Sequence, residues 1–344
     1  MHFDLNIGYW GTAVATNPGF LLDVESMGYR CIWAAEAYGS DAATVLGAIA
    51  AHTTRIGIGT AIMQMPARTP AMTAMTAATL DDLSAGRFRL GLGLSGPQVV
   101  EGWHGVAYRR PLQRSREYVE IVRAVLARTA PLEYQGEEYQ IPFGGEGATG
   151  LGKALKLIGS PHPDVPVYLA AIGPRNVALA AEIADGWLPA FYSPERAGEV
   201  FDAPLSAGFE LSAEGPAKRA RFDTVASVQA VITDDIPAGR DQVRPAIALY
   251  LGGMGARGAN FYNELARRYG FEQAAESVQD LYLAGDKVGA VAAVPDGLVD
   301  EVALVGPVEA VRDRLEVWRS SGVTALAIAS LDPATLRGVV EAAG

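Results

Sequence analysis

The sequence has few of the residues that form disulfides and metal sites. One of its 344 residues is a cysteine, Cys31, and four are histidines, none of them paired at the spacing of metal ligands. A lone cysteine excludes an internal disulfide and a cysteine-based metal site. Its neighbours Ile32 and Trp33 indicate a buried, inert thiol, with a reactive thiol as the alternative. The scattered histidines argue against a zinc site, so we expect no metal.

Positive charge and long apolar runs are also scarce. Lys and Arg number 28 against 39 Asp and Glu, a formal net charge of −11, which disfavours a nucleic-acid groove. No apolar run reaches the roughly 18 residues needed to cross a bilayer. Residues 1–4 show no basic region followed by an apolar stretch, so no secretory signal is visible. The sequence therefore predicts a cytoplasmic protein without a membrane or nucleic-acid partner.

Short apolar runs alternate with helical patterns along the chain, and 49% of the residues are apolar, enough for a large core. Repeated strand–helix units imply parallel strands with right-handed crossovers, and eight units close into an α/β TIM barrel. A doubly wound open sheet is the alternative. We predict one (β/α)8 barrel domain over residues 1–344, with insertions at roughly 130–165 and 205–300. The candidate strands are residues 3–9, 31–36, 55–62, 87–94, 167–170, 186–189, 225–232 and 323–329.

The ends of the predicted strands are aromatic and apolar, with one carboxylate, Glu36. Active sites of parallel barrels form at these strand ends. The sequence shows no Ser-His-Asp arrangement, no paired carboxylates and no lysine placed to form a Schiff base. A flat organic cofactor that carries the chemistry suits this lining better than hydrolysis does. We predict that the substrate pocket is lined by Tyr9, Trp10, Met63, Trp103 and Tyr192.

Three local features sharpen the expectation of a cofactor. The turn Ile172-Gly173-Pro174-Arg175-Asn176 opens a helix, whose free N–H groups and positive end favour an anion, although an ordinary turn reads the same way. Residues 91–98, GLGLSGPQ, lack the spacing of a dinucleotide fingerprint, but their glycines allow close approach of a ligand. His104, in the loop after the fourth strand, is either a proton carrier or an ordinary surface residue.

Three stretches together resemble a known family. They read GYRCIWAAEAYGSDA (28–42), TRIGIGTAIMQMPARTPAMTAMTAATLDDLSAGRFRLGLGLSGPQVVEGW (54–103) and VPVYLAAIGPRNVALAAEIADGWLP (165–189). In order and spacing they resemble the luciferase-like monooxygenase superfamily, and more narrowly its oxidoreductases that use the deazaflavin coenzyme F-420. The match is close over about the first 190 residues and thin across residues 200–300.

The resemblance implies a homodimer and a bulge after the third strand with a cis peptide at Ala61–Ile62, behind the ring of the cofactor. Glu36 aligns with an acidic position beside that ring, and the turn at Gly173 aligns with a phosphate-binding turn. We predict a cofactor site formed by Glu36, Thr60, Ala61, Ile62, Leu94, Ser95, Gly96, Gln98, Ala171, Ile172, Gly173, Arg175 and Asn176.

The chain departs from the sugar-phosphate dehydrogenases of that family. Their histidine after the acidic residue of strand two is Ala37 here, and Ser95-Gly96-Pro97-Gln98 lacks their acidic residue. This argues against a sugar-phosphate substrate and favours a bulkier, less charged small molecule.

Taken together, the sequence and the resemblance predict hydride transfer between coenzyme F-420 and an organic substrate. Glu36, Tyr38 or His104 would handle any proton. The first alternative is an FMN-dependent monooxygenase that needs a partner flavin reductase. The second is a flavin-binding barrel without catalytic activity.

Overall fold

Eight parallel strands close into a barrel in the computed structural model of the chain, which describes residues 1–9 and 11–344. Each strand pairs with the next, and the last pairs with the first, which closes the ring. The predicted TIM barrel is therefore confirmed, and the open-sheet alternative is wrong. In chain order the strands are β1 (His2–Gly8), β2 (Cys31–Ala34), β3 (Gly57–Thr60), β4 (Phe88–Gly93), β5 (Val167–Ala170), β6 (Gly186–Leu188), β7 (Asp223–Ile232) and β8 (Ala325–Ala329).

Helices surround the ring and occupy the connections between strands. They are α1 (Gly11–Ala15), α2 (Pro18–Ser26), α3 (Ala42–His52), α4 (Pro70–Leu83), α5 (Pro97–Gly102), α6 (Pro111–Ala127), α7 (Pro174–Ile183), α8 (Ala197–Leu211), α9 (Ile236–Ala248), α10 (Phe261–Arg268), α11 (Glu272–Leu283), α12 (Lys287–Ala292), α13 (Asp296–Val302), α14 (Val308–Ser320) and α15 (Pro333–Ala343). No helix in the described part of the chain combines the length and the apolar character needed to cross a bilayer.

The two irregular regions expected from the sequence differ in content. The first contains a small antiparallel hairpin, Tyr134–Gln135 with Gln140–Ile141. In the second, α8 and β7 belong to the barrel, and the extra elements are α9–α13 and the strand Ala303–Gly306, which pairs alongside β7. The segment that departs from the repeat is thus shorter than 205–300, because a regular strand–helix unit occupies its first part.

Alternation along β4 shows how the barrel separates its two cores. Phe88, Leu90 and Leu92 belong to the large core between strands and helices, whereas the alternate positions face the interior of the barrel. There Gly91 lies so close to β3 that an added Cβ would overlap the carbonyl oxygen of Thr60. Cys31 is also interior and fully buried, and burial raises the pKa of its thiol to about 12, as expected of an inert core residue.

The contact at Gly91 generates a stability prediction. We expect Gly91→Ala to lower the free energy of unfolding by about 3 kcal/mol, because the new methyl group overpacks the interior between β3 and β6. Urea denaturation measures the loss. Gly144→Ala is the matched control, since an added Cβ there meets no atom within 4 Å. Equal stability of the two variants would contradict the close packing of β3 against β4.

Candidate active site

The chain forms a bulge directly after β3, where the carboxyl ends of the strands open to the loops. The Ala61–Ile62 peptide is cis, as predicted, and the chain then pairs with β4 through Met63 and Gln64. Backbone bonds tie the bulge to the end of β2: Ala61 N donates to Ala34 O at 2.7 Å, and Glu36 N donates to Ile62 O at 3.0 Å. Ala61 and Ile62 are half-buried, so the bulge forms part of the floor of the mouth.

The Glu36 carboxylate is buried and joins three segments of the mouth. Its Oε2 accepts from Arg68 Nη1 at 2.7 Å and from Gln64 N at 3.1 Å, and its Oε1 accepts from Ala42 N at 3.2 Å. Three of its roughly four acceptor positions are therefore occupied. The predicted proton carrier is committed mainly to holding the bulge and the start of α3 in place.

Arg68 is neutralised by carboxylates of the protein itself. It contacts Asp41 in addition to Glu36. Burial acts to lower the pKa of Arg68, but the hydrogen bond to Glu36 and the charges of Glu36 and Asp41 outweigh this and raise it. Arg68 therefore stays cationic and has little charge left for a ligand.

A buried amide connects two of the predicted residues across the mouth. Gln64 is 2% exposed, donates from Nε2 to Ser95 Oγ at 2.6 Å, and lies 3.0 Å through Oε1 from His104 Nε2. Because an amide oxygen only accepts, His104 donates from Nε2, which leaves Nδ1 as the acceptor of a neutral ring. Sequence reasoning missed Gln64, although a polar residue inside the apolar run Ile62–Met65 was a visible signal.

Aromatic side chains form the outer wall of the mouth. Tyr38 and Trp103 are 68% and 65% exposed, and their ring centroids lie 6.3 Å apart. On the other side, Tyr9 Oη lies 3.0 Å from Tyr250 Oη, and Phe191 packs edge-on against Tyr250. Tyr250 follows α9 in the inserted region, and no motif in the sequence indicated that it reaches Tyr9.

Three predicted side chains do not face the mouth. Met63 is fully buried in the core between strands and helices. Tyr192 is 4% exposed, stacks on Phe201 and donates to Ser321 O, so the pocket prediction was wrong for both. The Thr60 hydroxyl is buried and bonds the backbone of β4, which leaves no contact for a cofactor. Trp10 lies outside the described residues.

The predicted anion site lies at the start of α7. Gly173 is the residue before the helix, Arg175 is exposed, and Asn176 Nδ2 donates weakly to Ala170 O at 3.5 Å. Arg268, from α10, donates to Ile172 O at 3.2 Å, while its Nε is buried without a partner among the described residues. The inserted region thus adds a second arginine beside this helix start.

The remaining predicted cofactor contacts lie at the ends of β4 and β5. Leu94, Ser95 and Gly96 are half-buried, and Ser95 adopts a φ of 59°, which turns the chain into α5. Gln98 is exposed on α5, whereas Ala171 is buried. Within the described residues no cluster of three or more His, Cys, Asp or Glu is arranged to hold a metal ion. The mouth therefore offers a bulged floor, a helix start with two arginines beside it and few free acid–base groups.

Comparisons with known proteins identify relatives of the chain and support the barrel fold. A model of the luciferase-like monooxygenase family matches residues 9–325. A Mycobacterium tuberculosis protein whose name assigns it to the coenzyme F-420-dependent oxidoreductases is 47% identical over 332 residues, 95% of this chain and 94% of that protein. The 5,10-methylenetetrahydromethanopterin reductase of Archaeoglobus fulgidus is 28% identical over 87% of this chain and 85% of that protein. The solved coenzyme F-420-dependent tetrahydromethanopterin reductase of Methanopyrus kandleri superposes with a TM-score of 0.78 at 22% identity, covering 99% of this chain and 97% of that one.

The pairing of Glu36 with Arg68 generates a second prediction. Arg68→Met leaves the Glu36 carboxylate buried without its cation, and we expect the free energy of unfolding to fall by about 3 kcal/mol. Adding Glu36→Gln should recover part of this loss, because a neutral amide needs no counter-charge. Urea denaturation of the unaltered protein, Arg68→Met, Glu36→Gln and the double variant gives the coupling energy between the two side chains. The same cycle on the exposed pair Arg221–Glu214 is the control, and its coupling should be much weaker because solvent screens exposed charges. Equal coupling in both cycles would contradict the assignment.

Proposed function

Because the chain belongs to the luciferase-like monooxygenase family, and to its branch of coenzyme F-420-dependent oxidoreductases, we propose that it transfers a hydride between coenzyme F-420 and an apolar organic substrate. The family match spans residues 9–325. A relative named for the same cofactor is 47% identical over nearly the whole length of both chains. Neither similarity identifies a substrate.

The observation that carries this proposal is that the polar and ionisable groups at the mouth are mostly bonded to other groups of the protein. Glu36 and Arg68 are bonded to each other, and the hydroxyl of Thr60 is bonded to β4. Hydrolysis would need a nucleophile activated by a neighbouring base. In the described mouth the Ser95 hydroxyl is bonded to Gln64 and has no hydrogen bond to His104, so no such pair is formed. A bound cofactor that carries the hydride needs no activated nucleophile from the protein.

The residues present fit a flat cofactor with an anionic tail. The buried Nε of Arg268 has no acceptor among the described residues and lies beside the start of α7, where free N–H groups favour a phosphate. Arg175 and Arg268 would hold the phosphate, and Ala61 and Ile62 would lie behind the ring. When bound, the deazaflavin supplies or accepts a hydride and reacts poorly with oxygen. The protein's part is to orient the two reactants.

Two groups of the chain are placed to exclude water and to move a proton. Trp103 and Tyr38 stand exposed at the rim, where a bulky apolar substrate would cover them. His104 presents Nδ1 as a free acceptor when its ring is neutral, because Gln64 holds Nε2. Reduction of a carbonyl needs one proton, and His104 in its protonated form would donate it from Nδ1.

A titration of both candidate cofactors tests the proposal. We expect coenzyme F-420 to bind at least tenfold more tightly than FMN, as measured by isothermal titration calorimetry. Tight FMN binding without F-420 binding would overturn the proposal in favour of a monooxygenase with a partner reductase. Binding of F-420 without oxidation or reduction of any substrate in a panel of carbonyls, imines, alcohols and activated alkenes would favour the non-catalytic barrel.

The same titration tests the role of Arg268. Arg268→Met should raise the Kd for coenzyme F-420 by about tenfold or more, since it removes a charge-assisted contact to the phosphate. Arg267→Met on the same helix is the matched control, because Arg267 bonds Asn263 instead. The deazaflavin without its phosphate and acidic tail should bind both variants and the unaltered protein equally. A loss of affinity for that core as well would assign Arg268 a purely structural role.

Replacing His104 separates proton transfer from binding. We expect His104→Ala to lower kcat by about 10²-fold or more for a carbonyl substrate found in the panel, while the Kd for coenzyme F-420 is unchanged. Gln64→Leu should lower kcat by less than this and shift its pH profile. Without the amide oxygen, the neutral ring of His104 can carry its proton on either nitrogen. An unchanged kcat in His104→Ala would leave Tyr38 as the proton carrier.

The homodimer also stays a prediction. Light scattering after size exclusion measures the molar mass that tests it.

A further inference from the structure

A cavity of about 620 Å³ opens at the opposite end of the barrel, where β2 to β5 begin. Four arginines and one glutamate contribute to its wall: Arg30, Arg55, Arg87, Arg89 and Glu25. The chain as a whole carries a net charge of −11, so this concentration of cations does not follow from overall composition.

Two of the four arginines have their hydrogen-bond donors occupied. Arg30 bonds Asp4 at 2.9 and 2.8 Å and also contacts Asp223 at 3.0 Å, so its charge is balanced. Arg87 donates to backbone carbonyls, including Ile56 O at 2.5 Å and Ser84 O at 2.6 Å. Its donors are used, but no carboxylate lies against it among the described residues.

The carboxylate at the edge of the cavity is engaged elsewhere. Glu25 Oε1 accepts from the backbone N–H groups of Thr54, Arg55 and Ile56 at 3.0, 2.7 and 2.9 Å. Burial acts to raise the pKa of Glu25, but these backbone bonds and the nearby charge of Arg55 outweigh it and lower the pKa. Glu25 remains ionised, and it forms no ion pair with a cavity arginine in the described structure.

Arg89 and Arg55 are left with unused donors. Arg89 points inward from β4 and packs on Gly57, where an added Cβ would overlap its guanidinium. Its polar neighbours are the inert thiol of Cys31, the hydroxyl of Tyr168 and the ion pair of Arg30 with Asp4. Neither Arg89 nor Arg55 donates from its guanidinium to an oxygen atom of a described residue, and neither forms an ion pair with one. Two planar groups, each with five N–H donors, thus line the same cavity.

We propose that this cavity binds a phosphate monoester of a small metabolite through Arg89 and Arg55. Counting Asp4, Asp223 and Glu25 against the four arginines leaves a local excess of one positive charge, which a phosphate anion would balance. Guanidinium groups match phosphate oxygens in geometry. The cavity has a size typical of small-molecule sites, which leaves room for the organic part of the ester.

The site is separate from the mouth, and the inference does not depend on the proposed oxidoreductase activity. Trp33 and Tyr168 pack edge to face inside the barrel with centroids 5.2 Å apart, and Trp33 donates to Asp4 at 2.8 Å. These buried side chains fill the interior above Arg89. A ligand at the N-terminal end would therefore not reach the bulge at Ala61.

Calorimetric titration of the full chain with inorganic phosphate, at constant ionic strength, tests the proposal. We expect saturable binding of phosphate. The affinity should fall at least tenfold in Arg89→Gln and about threefold in Arg55→Gln, because Arg55 is exposed. Arg175→Gln, at the mouth, is the control that separates the two anion sites, and it should retain the affinity of the unaltered protein for this site. Should Arg89→Gln fail to fold, Arg55→Gln and a crystal soaked in phosphate give the answer, with density expected between the two guanidinium groups.

Two results would overturn the assignment. The first is phosphate binding that is no stronger than the effect of chloride at the same ionic strength. The second is binding lost in Arg175→Gln and retained in Arg89→Gln and Arg55→Gln, which would place the anion at α7 alone.

Discussion

The Glu36 carboxylate bonds three segments that are distant in sequence: the start of α3, the strand residue after the bulge, and Arg68. A charge buried to this extent costs several kcal/mol unless it is paired and hydrogen-bonded. The bulge, α3 and Arg68 must therefore keep the positions that satisfy it. The geometry of the mouth follows from this requirement, because Ile62 O in turn accepts from Glu36 N.

The same requirement carries over to Gln64. Its backbone N–H is held by Glu36, so its side chain is fixed between Ser95 and His104. A histidine in a mobile loop would sample many ring orientations, whereas the ring of His104 is held by an amide that is itself buried. The exposed rings of Tyr38 and Trp103 have no such support. The mouth thus combines a floor fixed by buried hydrogen bonds with an exposed aromatic rim, an arrangement that agrees with the proposed cofactor and bulky substrate.

The alternation of apolar runs with helical patterns was enough to predict the strands, because few other topologies accommodate such a sequence. The bulge came from the family resemblance, and no pattern in the residues alone required it. The errors have a common cause: strand ends were assigned to the mouth without knowing which way each side chain points. Phe191 adopts a φ of 50° and turns the chain, so it faces Tyr250 while Tyr192 is directed into the core. Tyr250 and Arg268 were missed because they come from an insertion whose packing depends on tertiary contacts.

The two ends of the barrel differ in whether their arginines are paired with carboxylates. At the floor of the mouth Arg68 is matched by Glu36 and Asp41, and the unpaired charges of Arg175 and Arg268 lie apart from it at the start of α7. At the other end Arg89 is placed beside Gly57 without an acceptor, and a guanidinium in that position is stable when water or an anion satisfies it. The packed layer around Trp33 keeps these ends apart, so an anion bound to Arg89 would act on folding stability through mass action. At a hundred times its Kd, such a ligand would add about 2.7 kcal/mol without touching the chemistry at the mouth.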